Sequence, residues 1–325
     1  MKPLASLVSH KSHLRQQFNR YYQHIAANQT DPVSLYLQGL APTGRRAIKS
    51  RLITGAAILG FTGDLESMPW SVLDYQQLAR VRHTLSQQGK ASSTINLTLA
   101  AVRGVMKACF TLGLISANQL LLINDLRSVP NQCLPSGRCL SSRDIQKLVQ
   151  TCCLDQSLIG LRDTALIGLM INTGLRRSEI VALTCCDINL RAGTLNVTAG
   201  KGNKQRQTFL GAQCITLIRQ WQKRRGQSEG YLFNPISKSG HIACDEALSG
   251  QSVYDIVGTR ANQAGLSPLR PHDLRRTFVT QLLDAGVDLN TTRQLAGHSD
   301  MQTTARYDMR DLKTQKKAIQ QLFSA

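Results

Sequence analysis

The sequence predicts a mainly α-helical protein built as two domains, with a small β-hairpin or sheet in the second. Three observations lead there. Apolar residues recur at helical spacing through most of the 325 residues. That periodicity lapses around Val129-Pro130 to Pro135-Ser136-Gly137, where Pro, Ser, Gly and Asn cluster as they do in linkers. Two short segments, 194–198 and 205–210, read as strands around Gly200-Lys201-Gly202-Asn203.

The elements follow in chain order. After an N-terminal extension (1–29), a helical domain is expected over 30–126. Its first clear helix, 47–61, follows a basic stretch containing Arg45, Arg46, Lys49 and Arg51. A second, 73–85, comes after Met68-Pro69-Trp70, and a third, 94–112, has Ser93 as its expected N-cap and Gly113 near its end. The linker is expected at 127–139 and a second domain at 140–325. There Ser141 or Ser142 would cap a helix over 143–152, and 158–172 forms a long apolar helix. The hairpin comes next, and helices are expected from 212 nearly to the end.

Composition narrows the function. The chain has 42% hydrophobic and 18% charged residues, as soluble globular proteins do, and its length suffices for two cores. Lys and Arg number 39 against 20 Asp and Glu, a net charge of +19. Such an excess favours polyanions, because neutralising phosphates releases condensed counterions. Residues 1–139 carry 15 basic and 5 acidic residues, and 140–325 carry 24 and 15. Both halves are therefore suited to touch nucleic acid, and no single basic tail is present. The apolar stretch 52–61 is far shorter than the roughly 20 residues of a membrane span. No apolar core follows Lys2, so no secretory signal is expected. The nine cysteines include the adjacent pairs Cys152-Cys153 and Cys185-Cys186 and no C-x-x-C spacing, which argues against a disulfide framework and a zinc site. Reduced, mostly buried thiols in a cytoplasmic protein are expected.

Nucleotide-binding motifs fail. A Walker A loop around Lys201 would need Ser or Thr where Gly202 stands and Gly where Leu195 stands, and a G-x-G-x-x-G loop would need Gly at Gln205. Four other segments concentrate polar chemistry. They are T-G-L-R-R-S-E (173–179) with Arg176, G-K-G-N-K with Lys201 at the hairpin tip, P-H-D-L-R-R-T-F (271–278) with His272 and Arg275 three apart on one helix face, and G-H-S-D followed by T-T-A-R-Y with His298 and Tyr307. Each alone has an ordinary structural explanation: a paired Arg, a solvated Lys, a structural His, a core Tyr.

Together the four segments resemble the tyrosine recombinase (phage integrase) family, most closely its simple Xer-like members, over about residues 140–315. The order is right, and so are neighbours without chemistry of their own, Ser178-Glu179 and Thr303-Thr304. The resemblance implies catalytic roles for Arg176, Lys201, His272, Arg275, His298 and the nucleophile Tyr307. Arg177 and Arg276 depart from the Xer-like pattern without touching that set. It also implies a helical core-binding domain and a mixed α/β catalytic domain closing on duplex DNA as a C-shaped clamp.

The residue types suit the implied chemistry. Arg forks can donate paired hydrogen bonds to the non-bridging oxygens of a pentacoordinate phosphorus. Tyr307 would form a 3′-phosphotyrosine, with His272 the candidate base, Lys201 the candidate acid toward the 5′-oxygen, and His298 a hydrogen-bond partner of phosphate, Arg or Tyr. No metal or other cofactor is needed. Arg45, Arg46, Lys49 and Lys204 are candidate DNA contacts. The family implies a homotetramer on two specific recombination sites, joined by exchange of a C-terminal helix (311–323, with Leu312, Ile319 and Leu322), with or without an accessory or second recombinase. The expected setting is a cytoplasmic, nucleoid-associated enzyme of a mobile element, acting as integrase or as cointegrate or dimer resolvase. A type IB topoisomerase and a catalytically idle DNA-binding protein on the same fold are the alternatives.

Overall fold

A computed structural model describes residues 12–27, 30–130, 137–198, 205–226, 229–298 and 300–305. The chain divides into two compact units between Cys133 and Leu134.

The N-terminal unit contains six α-helices among its described residues: α1 (Ser12–Ala26), α2 (Pro32–Gln38), α3 (Pro42–Ile58), α4 (Tyr75–Gln87), α5 (Ser92–Thr111) and α6 (Ala117–Asp125). Pro starts α2 and α3, where its missing N–H is no loss. Asp74 and Gln77 form a reciprocal capping box on α4. The core gathers Leu52, Leu78, Val81, Ile95, Leu99 and Met106 around Trp70, whose Nε1–H donates to Leu65 O at 2.8 Å. Gly104 of α5 admits the Tyr36 ring, since a Cβ there would lie 2.1 Å from Tyr36 Cζ.

Three expectations change here. The extension 1–29 contains α1, whose Tyr21 is fully buried in this core and donates its hydroxyl to Glu66 O. Helix α3 begins five residues earlier than its apolar pattern, because the basic stretch forms its exposed face behind Pro42. Ser93 is not an N-cap: α5 starts at Ser92 behind Ala91, without a side-chain cap.

The second unit is mixed. Helices α7 (Ser142–Leu154), α8 (Leu158–Thr173) and α9 (Arg177–Ala182) precede strands β1 (Ile188–Asn189), β2 (Thr194–Val197) and β3 (Arg206–Phe209). Then come α10 (Ala212–Arg225), α11 (Gly250–Gln263), α12 (Pro271–Asp284), α13 (Leu289–Ala296) and α14 (Met301–Ala305). Ser141 caps α7 in a box with Asp144, and Ser157 caps α8. The strands form an antiparallel sheet ordered β1-β2-β3, with Ile188 opposite Leu195 and Val197 opposite Arg206. Strand β1, two residues long, is too short to reveal itself by alternation. Helix α8 is buried along most of its length and packs on α7, α10 and α12.

Helices do not run on unbroken from 212. The chain between α10 and α11 is irregular, with an isolated bridge between Ile236 and Ile242 and left-handed turns at Gly230 and Gly240. A buried polar network holds it. Asn234 accepts Arg225 Nε–H at 2.8 Å on its side chain and Arg162 Nη1–H at 3.2 Å on its backbone oxygen, and its amide donates to Cys244 O and Glu246 O. Arg162 and Arg260 both pair with Asp163 at 2.8 Å, and Arg260 also reaches Asp155 at 2.8 Å. Such groups hold a loop only where every one of them is paired.

The chain is pinned on both sides of 131–136. Asn96 exchanges two hydrogen bonds with Val129, and further along Arg138 N–H donates to Asp273 and Leu140 N–H to Thr277 Oγ1. Among the described residues eight cysteines are free, four of them buried. Burial pushes the Cys109, Cys152 and Cys214 thiols up to about 12, so these three are inert packing groups. No helix among the described residues is long and apolar enough to cross a membrane.

Candidate active site

The site starts at a glycine. Helix α8 ends at Gly174 in the left-handed region (φ +60°), and a Cβ there would meet Phe278 Cδ1 of α12 at 2.3 Å. No other residue allows both that turn and that contact. The turn delivers Arg176 to the N-cap of α9. Three residues on, Glu179 accepts the Arg176 backbone N–H at 2.8 Å and its Nη1–H at 2.7 Å.

Helix α12 begins at Pro271, and Asp273 accepts the Arg270 backbone N–H at 2.8 Å. His272 therefore stands in the first turn and Arg275 one turn on. Arg275 is 3% exposed and donates to Gly174 O at 2.8 Å and to Ala296 O at 2.6 Å. Arg176 donates its Nη2–H to Gly297 O at 2.7 Å. The two guanidiniums are thus tied to consecutive carbonyls at the end of α13, and His298 follows immediately. Gly297, with φ +67°, makes that turn possible.

His298 is buried, and its Nδ1 lies 2.8 Å from Thr304 Oγ1 of α14. Burial, then the Arg275 and Arg176 guanidiniums, hold its pKa down at about 3, so the ring is neutral at ordinary pH. His272 reaches the surface, yet desolvation by the protein around it lowers its pKa first, and Arg275 adds to this against the opposing Asp273. A neutral imidazole there can accept a proton.

Arg176, His272 and Arg275 line a cavity of about 290 Å³ together with Arg177, Arg270 and Tyr254, and its lining contains no carboxylate. Four arginines around so small a space favour a negatively charged occupant. Among the described residues no group of three or more His, Cys, Asp or Glu is arranged to hold a metal ion.

Of the six candidate catalytic residues, Arg176, His272, Arg275 and His298 come together. Lys201 and Tyr307 lie outside the described residues, as does Lys204. The candidate DNA contacts on α3 separate. Arg45 folds back onto Leu40 O and Gln38 O, and Lys49 lies 3.6 Å from Glu66. Arg46 instead lines an open groove with Ser50, Arg51, Ser93, Thr94 and Leu97.

Two partners of the site escaped the sequence reading. Glu179 stands among neighbours without chemistry of their own, yet it is 1% exposed and bound by Arg176 and Arg206 together. Although burial pushes its pKa up, hydrogen bonds from Arg206 and the Arg176 backbone hold the carboxyl at about 2. Its i+3 spacing from Arg176 at a helix start was the available signal. Arg206, on β3, gave none.

The model of the phage integrase family matches residues 138–313. Tyrosine recombinase XerC of Alcanivorax borkumensis is 30% identical over 298 residues, covering 90% of this chain and 88% of that protein. Tyrosine recombinase XerD of Pseudomonas putida is 33% identical over 224 residues, 69% of this chain and 72% of that one. Among solved structures, the Tn1549 transposon integrase in complex with transposon right end DNA aligns with a TM-score of 0.68 at 16% identity, over 91% of this chain and 100% of that one, a likeness of fold. The family match spans more than half of the chain and the XerC match nine-tenths of it, so the chain belongs to the phage integrase family and is a tyrosine recombinase, an enzyme that breaks and rejoins DNA in site-specific recombination.

Proposed function

We propose that this recombinase cuts one DNA strand by attack of Tyr307 on phosphorus, and that Arg176, Arg275, His272, His298 and Lys201 form the rest of its catalytic set. The observation that carries the reading is the convergence of Arg176 and Arg275 on the consecutive carbonyls of Gly297 and Ala296, beside His298 and His272. Two fixed forks around one cavity are suited to the two non-bridging oxygens of a single phosphate. His272, with its lowered pKa, is neutral at pH 7 and takes the Tyr307 proton. His298, whose Nδ1 lies 2.8 Å from Thr304 Oγ1, is the hydrogen-bond partner of phosphate oxygen in this set. Lys201 protonates the departing 5′-oxygen. The phosphotyrosine conserves the energy of the broken bond, and rejoining reverses these steps.

The substrate is duplex DNA carrying specific recombination sites, held by the helical unit, with Arg46 facing it, and by the catalytic unit, which spans 140–325. Four protomers assemble on two sites by passing 311–323 to a neighbour. An apolar groove of about 470 Å³ lined by Val149, Ile171, Leu217, Phe278 and Leu282 suits Leu312, Ile319 and Leu322 of that segment. The enzyme works on the cytoplasmic nucleoid, in the service of a mobile element. The topoisomerase alternative has no support among these relatives.

The test is a covalent adduct. Tyr307→Phe removes only a hydroxyl, so it should bind the site as the parent does and form no protein–DNA adduct that survives denaturation. An adduct formed by the Phe variant means that another residue attacks, and overturns the reading.

A further inference from the structure

Glu179 is shared unequally by two arginines. Its Oε1 accepts Arg176 Nη1–H at 2.7 Å and Arg206 Nη1–H at 2.9 Å, and its Oε2 accepts the Arg176 backbone N–H and Arg206 Nη2–H, both at 2.8 Å. Arg206 therefore grips the carboxylate with both teeth of its fork, and Arg176 with one. The second Nη of Arg176 turns instead to Gly297 O. Two of the roughly five N–H groups of its head are so engaged, and the head borders the cavity beside His272 and Arg275.

The arrangement depends on Arg206. Without it, the buried carboxylate would have unfilled lone pairs and no ready access to water, an expensive condition. Paired forks are the preferred geometry of guanidinium and carboxylate. Glu179 would therefore draw Arg176 into a two-toothed pair and off Gly297 O. The Arg206 side chain has Glu179 as its sole hydrogen-bond partner among the described residues, and its Nε is buried with none. It passes close beneath Gly297, where a Cβ would meet Arg206 Cζ at 2.6 Å. The same glycine admits Arg206 and offers its carbonyl to Arg176.

We infer that Arg206 is a positioning residue for strand cleavage: by filling Glu179 it keeps the Arg176 fork presented to the phosphate. The inference rests on the reading of Arg176 as a phosphate-neutralising group. The full-length protein is used, with the cleaved position mapped by sequencing the DNA ends held in covalent adducts. Synthetic duplexes then carry at that position either the natural phosphodiester or a methylphosphonate, in which a methyl replaces one non-bridging oxygen and removes its charge.

Arg206→Met and Arg206→Lys should bind the natural duplex as the parent does, which also reports that they are folded. They should cut it about 10²-fold and about 10-fold more slowly, the scale of a misplaced catalytic group. On the methylphosphonate, which needs less neutralisation, both should recover most of that loss relative to the parent, as Arg176→Ala should. Arg206→Lys keeps a charge beside Glu179 and is the informative variant if Met impairs folding. Equal losses on both substrates, with Arg176→Ala relieved, reduce Arg206 to a structural support and overturn the inference. So does an Arg206→Lys protein that cuts the phosphodiester at the parent rate. If Arg176→Ala is not relieved, the phosphate reading itself fails, and the inference with it.

Discussion

Arg176→Lys separates catalysis from stability. The arginine donates two side-chain hydrogen bonds, to Glu179 and to Gly297 O. A lysine ammonium keeps the charge but cannot span both acceptors and still offer a planar pair of N–H groups to phosphate. The structural loss is small, because Glu179 keeps both teeth of Arg206 and the Arg176 head is 33% exposed. One partly solvated hydrogen bond is worth about 1 kcal/mol at most. The catalytic loss is large, because a donor aimed at a developing oxyanion is worth about 2.7–4 kcal/mol, or roughly 10²–10³ in rate. A nicked duplex that traps the covalent intermediate, run on a denaturing gel, gives the cleavage rate, while a gel shift gives affinity and a thermal melt gives stability. Cleavage should drop on that scale with the melt and the gel shift nearly unmoved. Binding that weakens in step with cleavage would refute the reasoning and make Arg176 one more surface cation attracting DNA.

Two further expectations concern groups within the catalytic unit. His298 has a folded pKa near 3 against an ordinary 6.5, so between those values the unfolded chain binds the extra proton and stability falls as pH falls from about 6.5 toward 3. His298→Gln removes that titration, so its melting temperature should decline less steeply over this window than the parent's; parallel curves would mean the imidazole is not buried neutral. Asp163→Ala leaves Arg162 buried without a carboxylate and Arg260 with Asp155 alone, and should cost about 3–5 kcal/mol in denaturant unfolding, with cleavage per folded molecule unchanged; a loss under about 1 kcal/mol would show that water reaches the network.

What the sequence revealed and what it hid divide along a physical line. Helical periodicity shows wherever a helix has one wet face, as in α4 and α7, and the four polar segments are local strings whose order can be read directly. His272 and Arg275 could be placed together because one helix turn separates them. Periodicity says little where burial is not amphipathic. Helix α8 hides the charged pair Arg162 and Asp163 within its buried length, and their partner Arg260 is 97 residues from Asp163. The irregular passage after α10 follows from that network and from Asn234, and no local residue pattern announces it.

The centre of the site was hidden for a different reason. Arg176 and Arg275 meet through the backbone carbonyls of Gly297 and Ala296, and every residue owns a carbonyl, so the residue types along the chain cannot mark these two as special. What marks them is Gly297. Its positive φ ends α13, and its missing side chain makes room for the Arg206 head. One hydrogen atom in place of a side chain thereby brings the return strand of the hairpin, the end of α8 and the segment leading to His298 within hydrogen-bonding reach of one another. The G-H pair in the motif thus has two distinct jobs. The histidine supplies a neutral ring, and the glycine before it supplies the space for Arg206 and the carbonyl that Arg176 donates to.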